Sequence, residues 1–445
     1  MRLDLCPGVD VLPREEPARC PATWLVFLRE DERERLEAHP WPVAQERLEG
    51  QQLLVRRTWR GIRGWEVSTP EGRCAFLQPD GCCEIHLRGG AEALPSVCRR
   101  QPFRFVRGPD SDEVTVGVDW SCPEVVAAPG VPLTRRRREL EVLAAEEAAV
   151  ETLSVEVELY RGRRFTGWEE VLEAETTLVS LLEGERLPLS VAVAAAGQIP
   201  ILIRRFLKVM EALPRGMGSY SLSRYLRVQR TGDPSQEPFR AQVRELATAM
   251  PSRAAGRRRV ADVLTVLGGA ASGRLRLGVH LELLGNRLRS RRGEVLYRWE
   301  GPCSPARASV QEEIAFPVGQ PDLGGLLRTY LAHTVRRRLL IPVAGLERGA
   351  GLLATLYAII REQARARAVS RGLLGVDAEC LREAIARTEA QVALSEGVAT
   401  LLGSPTPLRR TLDRILRSRN FALNVVQPLA PGNDELAVAK PVDDR

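Results

Sequence analysis

Long apolar runs are missing from this chain. Its most apolar stretch, residues 187–203, is broken by Gly197, Gln198 and Pro200 and falls short of the roughly 20 apolar residues that a membrane helix needs. The opening MRLDLCPGVD also lacks a basic region followed by an apolar core and a small-residue cleavage site, so no secretory signal is read. These two absences point to a cytoplasmic protein with no membrane association. Aromatic residues are scarce, 5% of 445, which leaves few rings for nucleic-acid bases to stack on. The net charge of +7 comes from many arginines nearly balanced by acids, with basic clusters at residues 135–138, 257–259, 287–292 and 336–338. Clusters so scattered read as solvated helix faces rather than one nucleic-acid groove.

Several catalytic and metal signatures are missing too. There is no Cys-x2-Cys knuckle, which excludes a common zinc finger. No glycine-rich loop follows a strand in the dinucleotide-binding manner; residues 268–273 (GGAASG) come nearest, but they sit in a helical context and read as a helix break.

What the chain does have is a lopsided cysteine distribution. Seven of its nine cysteines, Cys6, Cys20, Cys74, Cys82, Cys83, Cys98 and Cys122, fall in the first 122 residues, and only Cys303 and Cys380 follow. In a reducing compartment such a cluster binds metal or does redox chemistry more often than it forms disulfides. Four thiolates arranged tetrahedrally suit zinc or an iron–sulfur cluster, and spacing alone does not choose between them. The spacings are Cys74-x8-Cys83, then x14 to Cys98 and x23 to Cys122, with Cys20 lying x53 before Cys74. His86 could add a nitrogen ligand, though a lone histidine on a short apolar segment is more often a core or surface residue.

The pattern around these cysteines predicts an α+β protein. Residues 22–28 lean toward strand and 29–36 toward a charged helix; 53–69 suggest strands around Gly61 and Gly64. Residues 74–77 and 83–86 read as short strands flanking a Gln78-Pro79-Asp80-Gly81 turn, and 101–120 as two strands joined across residues 108–111. Pro129-Gly130-Val131-Pro132 gives the strongest linker signal. A small cysteine-rich module with short strands, residues 1–130, is therefore expected to precede a mainly α-helical region, 131–425, and a polar, disordered tail, 426–445. Within the helical part, residues 135–153, 166–182, 199–212, 240–268, 273–292, 326–340, 351–369, 378–402 and 407–416 carry helical patterns, and 214–240 reads as a loop.

The run Cys74-Ala75-Phe76-Leu77-x2-Asp80-Gly81-x-Cys83-x-Ile85, then Cys98-Arg99-x2-Pro102-Phe103, then Cys122-Pro123-Glu124, resembles the cysteine-cluster family described as zinc- or iron-chelating. It is most similar to the flagellin lysine N-methylase branch, in which a leading cysteine is followed by a tryptophan, as Cys20 is by Trp24. The resemblance is specific over residues 20–124. It implies Cys20, Cys74, Cys83, Cys98 and Cys122 as metal ligands, four of which a four-iron cluster would use, with zinc as the alternative. Cys83 is preferred to Cys82 because Ile85 follows it by two. The resemblance further implies S-adenosylmethionine as methyl donor and a lysine of a partner protein, flagellin or another, as acceptor. The Cys-x3-Cys-x2-Cys arrangement of radical enzymes that use that cofactor is absent, and no residue of the helical region stands out as catalytic or cofactor-binding.

Overall fold

The computed structural model describes residues 2–11, 26–59, 62–70, 73–109, 111–126, 130–145, 150–153, 156–160, 163–184, 189–212, 221–231, 262–263, 266, 321–338, 340–390, 401 and 407–416. Helix and strand are mixed, as an α+β protein requires. The chain forms two compact units, Met1–Thr152 and Leu153–Arg445. The residue-130 boundary expected from sequence falls inside the first unit, before a strand that pairs back within it.

In chain order the first unit holds β1 (Arg2–Leu5), β2 (Asp10–Val11), β3 (Phe27–Leu28), α1 (Glu30–Glu37), α2 (Pro42–Leu48), β4 (Leu54–Trp59) and β5 (Ile62–Val67). Then come α3 (Glu84–Ala93), α4 (Ser96–Arg100), β6 (Phe103–Arg107), β7 (Glu113–Val118), α5 (Pro123–Val126), β8 (Val131–Pro132), α6 (Arg137–Ala145) and β9 (Val150–Thr152). One sheet has the order β1-β7-β6-β9, a second β3-β5-β4, and β2 pairs with β8. The β4–β5 hairpin and the antiparallel β6–β7 pair are the strands read from sequence. Gly64 lets β3 approach β5, since a Cβ there would stand 2.4 Å from Cζ of Phe27. Acidic Glu30, Asp31 and Glu32 open α1 and Arg35 lies in its last turn, both signs opposing the helix dipole.

Three sequence expectations for the first unit are corrected. Residues 83–86 are not a strand: Cys83 caps the start of α3 and Glu84 is its first residue. Four apolar-alternating residues fit the first turn of a helix as well as a strand, and Glu84 tips the balance by bonding the start of α2. Residues 74–77 form a turn, touching Cys83 by one isolated bridge from Leu77. The helix expected to reach residue 153 ends at Ala145, and Val150–Thr152 runs parallel to β6, as the β-branched Val150 and Thr152 favour.

The second unit opens with a small antiparallel pair, β10 (Glu158–Tyr160) and β11 (Arg163–Arg164). It continues with α7 (Trp168–Glu183), α8 (Leu189–Ala196), α9 (Ile199–Ala212) and α10 (Leu222–Thr231). After these come α11 (Pro321–Arg336), α12 (Ile341–Ala344), α13 (Leu346–Ser370), α14 (Ala378–Thr388) and α15 (Pro407–Leu416). α10 corrects the loop expected over 214–240: Leu222 and Leu226, four apart, are buried, and Tyr225 stacks on Phe206 at 4.2 Å. The helices expected at 240–268 and 273–292 and the tail at 426–445 lie outside the described residues, apart from helical positions 262, 263 and 266. Among the described residues Leu189–Ala212 is the one stretch long and apolar enough to cross a membrane by composition, and 61% of its apolar window is buried in the structure. α13 is buried on nearly every face despite Arg348, Arg361, Glu362 and Arg365. Its charges are accommodated internally, as when Arg361 donates to the Tyr357 hydroxyl at 2.5 Å.

Candidate metal centre

The cysteines of the first unit are placed by two pieces of architecture, and Cys98 belongs to both. One is the core beneath α1–α4, where Cys83 and Cys98 are buried among Val26, Leu28, Trp41, Phe76 and Ile85, with half-buried Cys74 packed against it. The other is one end of the four-stranded sheet. β1 and β7 run parallel with Leu5 opposite Val116, so the residues after both strands emerge at the same end. β6 runs the other way, and its first residue, Phe103, faces Val118, the last of β7. Cys6 follows β1, Cys122 follows β7 and Cys98 precedes β6, so the topology brings all three to that end. Backbone hydrogen bonds lace it together. Gln101 N donates to Cys98 O at 3.3 Å, Asp119 N to Pro102 O at 2.8 Å, and Cys122 N to Asp119 O at 3.1 Å. The Gln101–Pro102 peptide is cis.

Local sequence explains the Cys74–Cys83 loop. Pro79 fits the second position of a turn and Gly81 takes φ +88°. The Gly81 amide donates to Gln78 O at 3.0 Å, and Asp80 Oδ1 accepts from the Cys82 amide at 2.9 Å. Arg47 of α2 donates to the carbonyls of Cys74 and Leu77, fixing the loop against the core. Cys82 is buried but is not among the residues of the Cys83–Cys98 core. His86, expected on a strand, is buried in the first turn of α3.

Two buried carboxylates that sequence reading missed hold these short helices in place. Glu32 Oε2 accepts from the Arg29 amide at 2.9 Å, and Oε1 from the Ser96 amide, the start of α4, at 2.7 Å. Burial pushes the Glu32 carboxyl up, but the backbone bonds from Arg29 and Ser96 outweigh it and hold it below the usual carboxylate range. Glu84, fully buried, accepts from the Val43 and Ala44 amides at 3.2 and 3.0 Å, capping α2 from the first residue of α3. Glu32 does carry a sequence signal, since it stands at the third position of a helix where acids reach back to the cap amide. Its reach to Ser96, 64 positions away, has none. Gln101 was also missed: it is 5% exposed, and among the described residues its Nε2 has no hydrogen-bond partner.

Soft thiol donors, buried and drawn from separate segments, fit zinc or an iron–sulfur cluster in chemistry. Cys20 and Trp24 lie outside the described residues. Among the described residues, no three Cys, His, Asp or Glu side chains group closely enough to hold a metal ion. In the second unit Cys380 is fully buried in α14. Burial pushes its thiol up, away from thiolate character, with Asp377 adding to the effect.

Comparison with known proteins finds no match: no family model, no curated protein and no solved structure corresponds to this chain.

Proposed function

We propose that the first unit is a cysteine-ligated metal module carrying an iron–sulfur cluster, with ligands drawn from Cys20, Cys74, Cys83, Cys98 and Cys122. The observation that carries this reading is the double placement of Cys98, in one core with Cys83 and Cys74 and at one sheet end with Cys122. Cys83 lies at the start of α3, where backbone amides favour the thiolate form that a metal needs. Buried bonds from Glu32 and Glu84 keep α1–α4 in register, the kind of outer support that orients ligands. Such a cluster would supply four-way cross-linking of short segments or electron transfer.

The resemblance stated above extends the proposal to methyl transfer from S-adenosylmethionine to lysines of a partner protein, in the cytoplasm. A lysine attacks only as the neutral amine, so the acceptor site must desolvate it or place a basic group beside it. The second unit already buries charge, since Arg337 and Glu389 pair fully buried, with Tyr330 donating to Glu389 at 3.1 Å.

Anaerobically purified full-length protein tests both parts. A brown absorbance with iron and sulfide is the expected result; a colourless protein with one equivalent of zinc would replace the cluster by a structural zinc site. S-adenosylmethionine should bind the cluster-loaded protein in a titration. If it does not bind in any metal state, the enzymatic part is wrong and the metal part stands alone.

A further inference from the structure

Away from the cysteines, the second unit contains a charged pair that is poorly satisfied. Glu175 in α7 and Arg338, just past α11, are each 6% exposed, yet their nearest approach is 3.8 Å, beyond hydrogen-bond reach. Among the described residues, Glu175 Oε1 and Arg338 Nε and Nη1 are buried with no hydrogen-bond partner. The guanidinium carbon of Arg338 lies 5.4 Å from the Trp168 ring centroid, so one face is covered by an aromatic wall. Arg338 reaches this position from a left-handed backbone, φ +61°, a conformation that non-glycine residues adopt at a cost.

The neighbouring charges do not complete the pair. Arg336 is engaged with Glu183, and Arg227 of α10 with Glu169 and Glu173. α8 and α12, which also pack on α7, carry no titratable side chain. Burial pushes the Glu175 carboxyl up to about 8 against the opposing pull of Arg338. At neutral pH it therefore carries a proton and can donate, leaving the guanidinium charge without a counter-charge. A buried cation with open donors is costly until an anion or several polar atoms meet it.

We propose that Arg338 and Glu175, walled by Trp168, form a binding site for one small oxyanion group, a carboxylate or a phosphate. Its oxygens would accept from Arg338 Nε or Nη1 and from the Glu175 carboxyl group. This site is independent of the metal module, and it stands or falls apart from it.

The test is thermal melting and isothermal titration of the full chain with inorganic phosphate and with acetate, at constant ionic strength set by chloride. One of the two anions should raise the melting temperature and titrate to one site, and which one does so separates phosphate from carboxylate. Arg338→Met should weaken that binding by about 30-fold or more, the loss expected when one partner of a buried charged contact is truncated. Glu175→Gln, which keeps a neutral donor, should retain binding at neutral pH. Arg205→Met, an equal charge change at an exposed position of α9, should leave it unchanged. If neither anion shifts the melting of the wild-type chain, or if Arg205→Met weakens binding as much as Arg338→Met, the proposal is overturned whatever the variants' own stability.

Discussion

Glu32 and Ser96 are joined by a 2.7 Å hydrogen bond from the Ser96 amide to the Glu32 carboxylate, which ties the first turn of α1 to the start of α4, two residues before Cys98. The same carboxylate bonds the Arg29 amide, so one buried side chain satisfies two helix starts.

Replacing Glu32 by Gln should therefore destabilise the protein by about 1.5–3 kcal/mol, the usual worth of hydrogen bonds to a charged group. The sign with pH is fixed by its lowered pKa. The stability that ionised Glu32 contributes is present above the ordinary carboxylate range of about 4 and is lost as pH falls through its lower folded value. Urea unfolding of wild type and Glu32→Gln should thus differ most near neutrality and converge in acid. A constant difference down to low pH would contradict this.

Cys82 and Cys83 are adjacent in sequence but only Cys83 joins the core with Cys98. Under the proposed metal function, Cys83→Ser should sharply reduce metal content per chain, as should Cys98→Ser, whereas Cys82→Ser should leave most of it. Equal loss from Cys82→Ser and Cys83→Ser, measured by elemental analysis of anaerobic protein, would show that the pairing of ligand and bystander is wrong.

His333 is 2% exposed in α11, and its pKa is held well below the ordinary value by burial and then by Arg337 and Arg336. Above about 6.5 the imidazole is neutral in both folded and unfolded chains and adds no pH dependence; below it the unfolded chain takes up a proton that the folded one refuses. Stability must then fall as pH drops, by at most about 1.4 kcal/mol per unit from this group. His333→Gln should shrink the stability difference between pH 7 and pH 5, by at most about 2 kcal/mol. An unaltered pH profile would mean that His333 takes up its proton as readily in the folded chain as in the unfolded one.

Gly345 joins α12 to α13 with φ +81°, and a Cβ on it would stand 2.7 Å from the carbonyl oxygen of Glu158. Gly345→Ala should cost about 1–3 kcal/mol from the positive-φ, extended backbone alone, a region essentially confined to glycine, with the steric contact added. Gly325, exposed within α11 and with nothing near its Cβ position, provides the contrast. Gly325→Ala should stabilise by about 0.5–1 kcal/mol. Melting temperatures moving in opposite directions for the two variants is the expected outcome.

Elements with a sustained periodic signal were legible from sequence. The hairpin β4–β5, the β6–β7 pair, α7, α9 and α15 appear where alternation or three-to-four spacing placed them. Short segments were not: residues 83–86 became the first turn of α3, and 150–152 left the expected helix for a strand. Three or four residues carry too few positions to distinguish periods of 2 and 3.6, so their partners decide. In the candidate site the sequence named the thiols but not the polar atoms around them, because the bonds from Glu32 and Glu84 span 64 and about 40 positions.

What the sequence determined by itself is the chemistry on offer: seven of nine cysteines crowded into the first 122 residues, arginine-rich helices, and α+β composition. Tertiary structure decided how that chemistry is arranged. Parallel pairing of β1 with β7 carries Cys6 and Cys122 to one sheet end, a shared core holds both Cys83 and Cys98, and packing leaves Glu175 and Arg338 3.8 Å apart with no hydrogen bond between them. Side-chain type is local and can be read directly, whereas strand direction, burial and long-range hydrogen bonding depend on segments distant in sequence and exist only once the chain has folded.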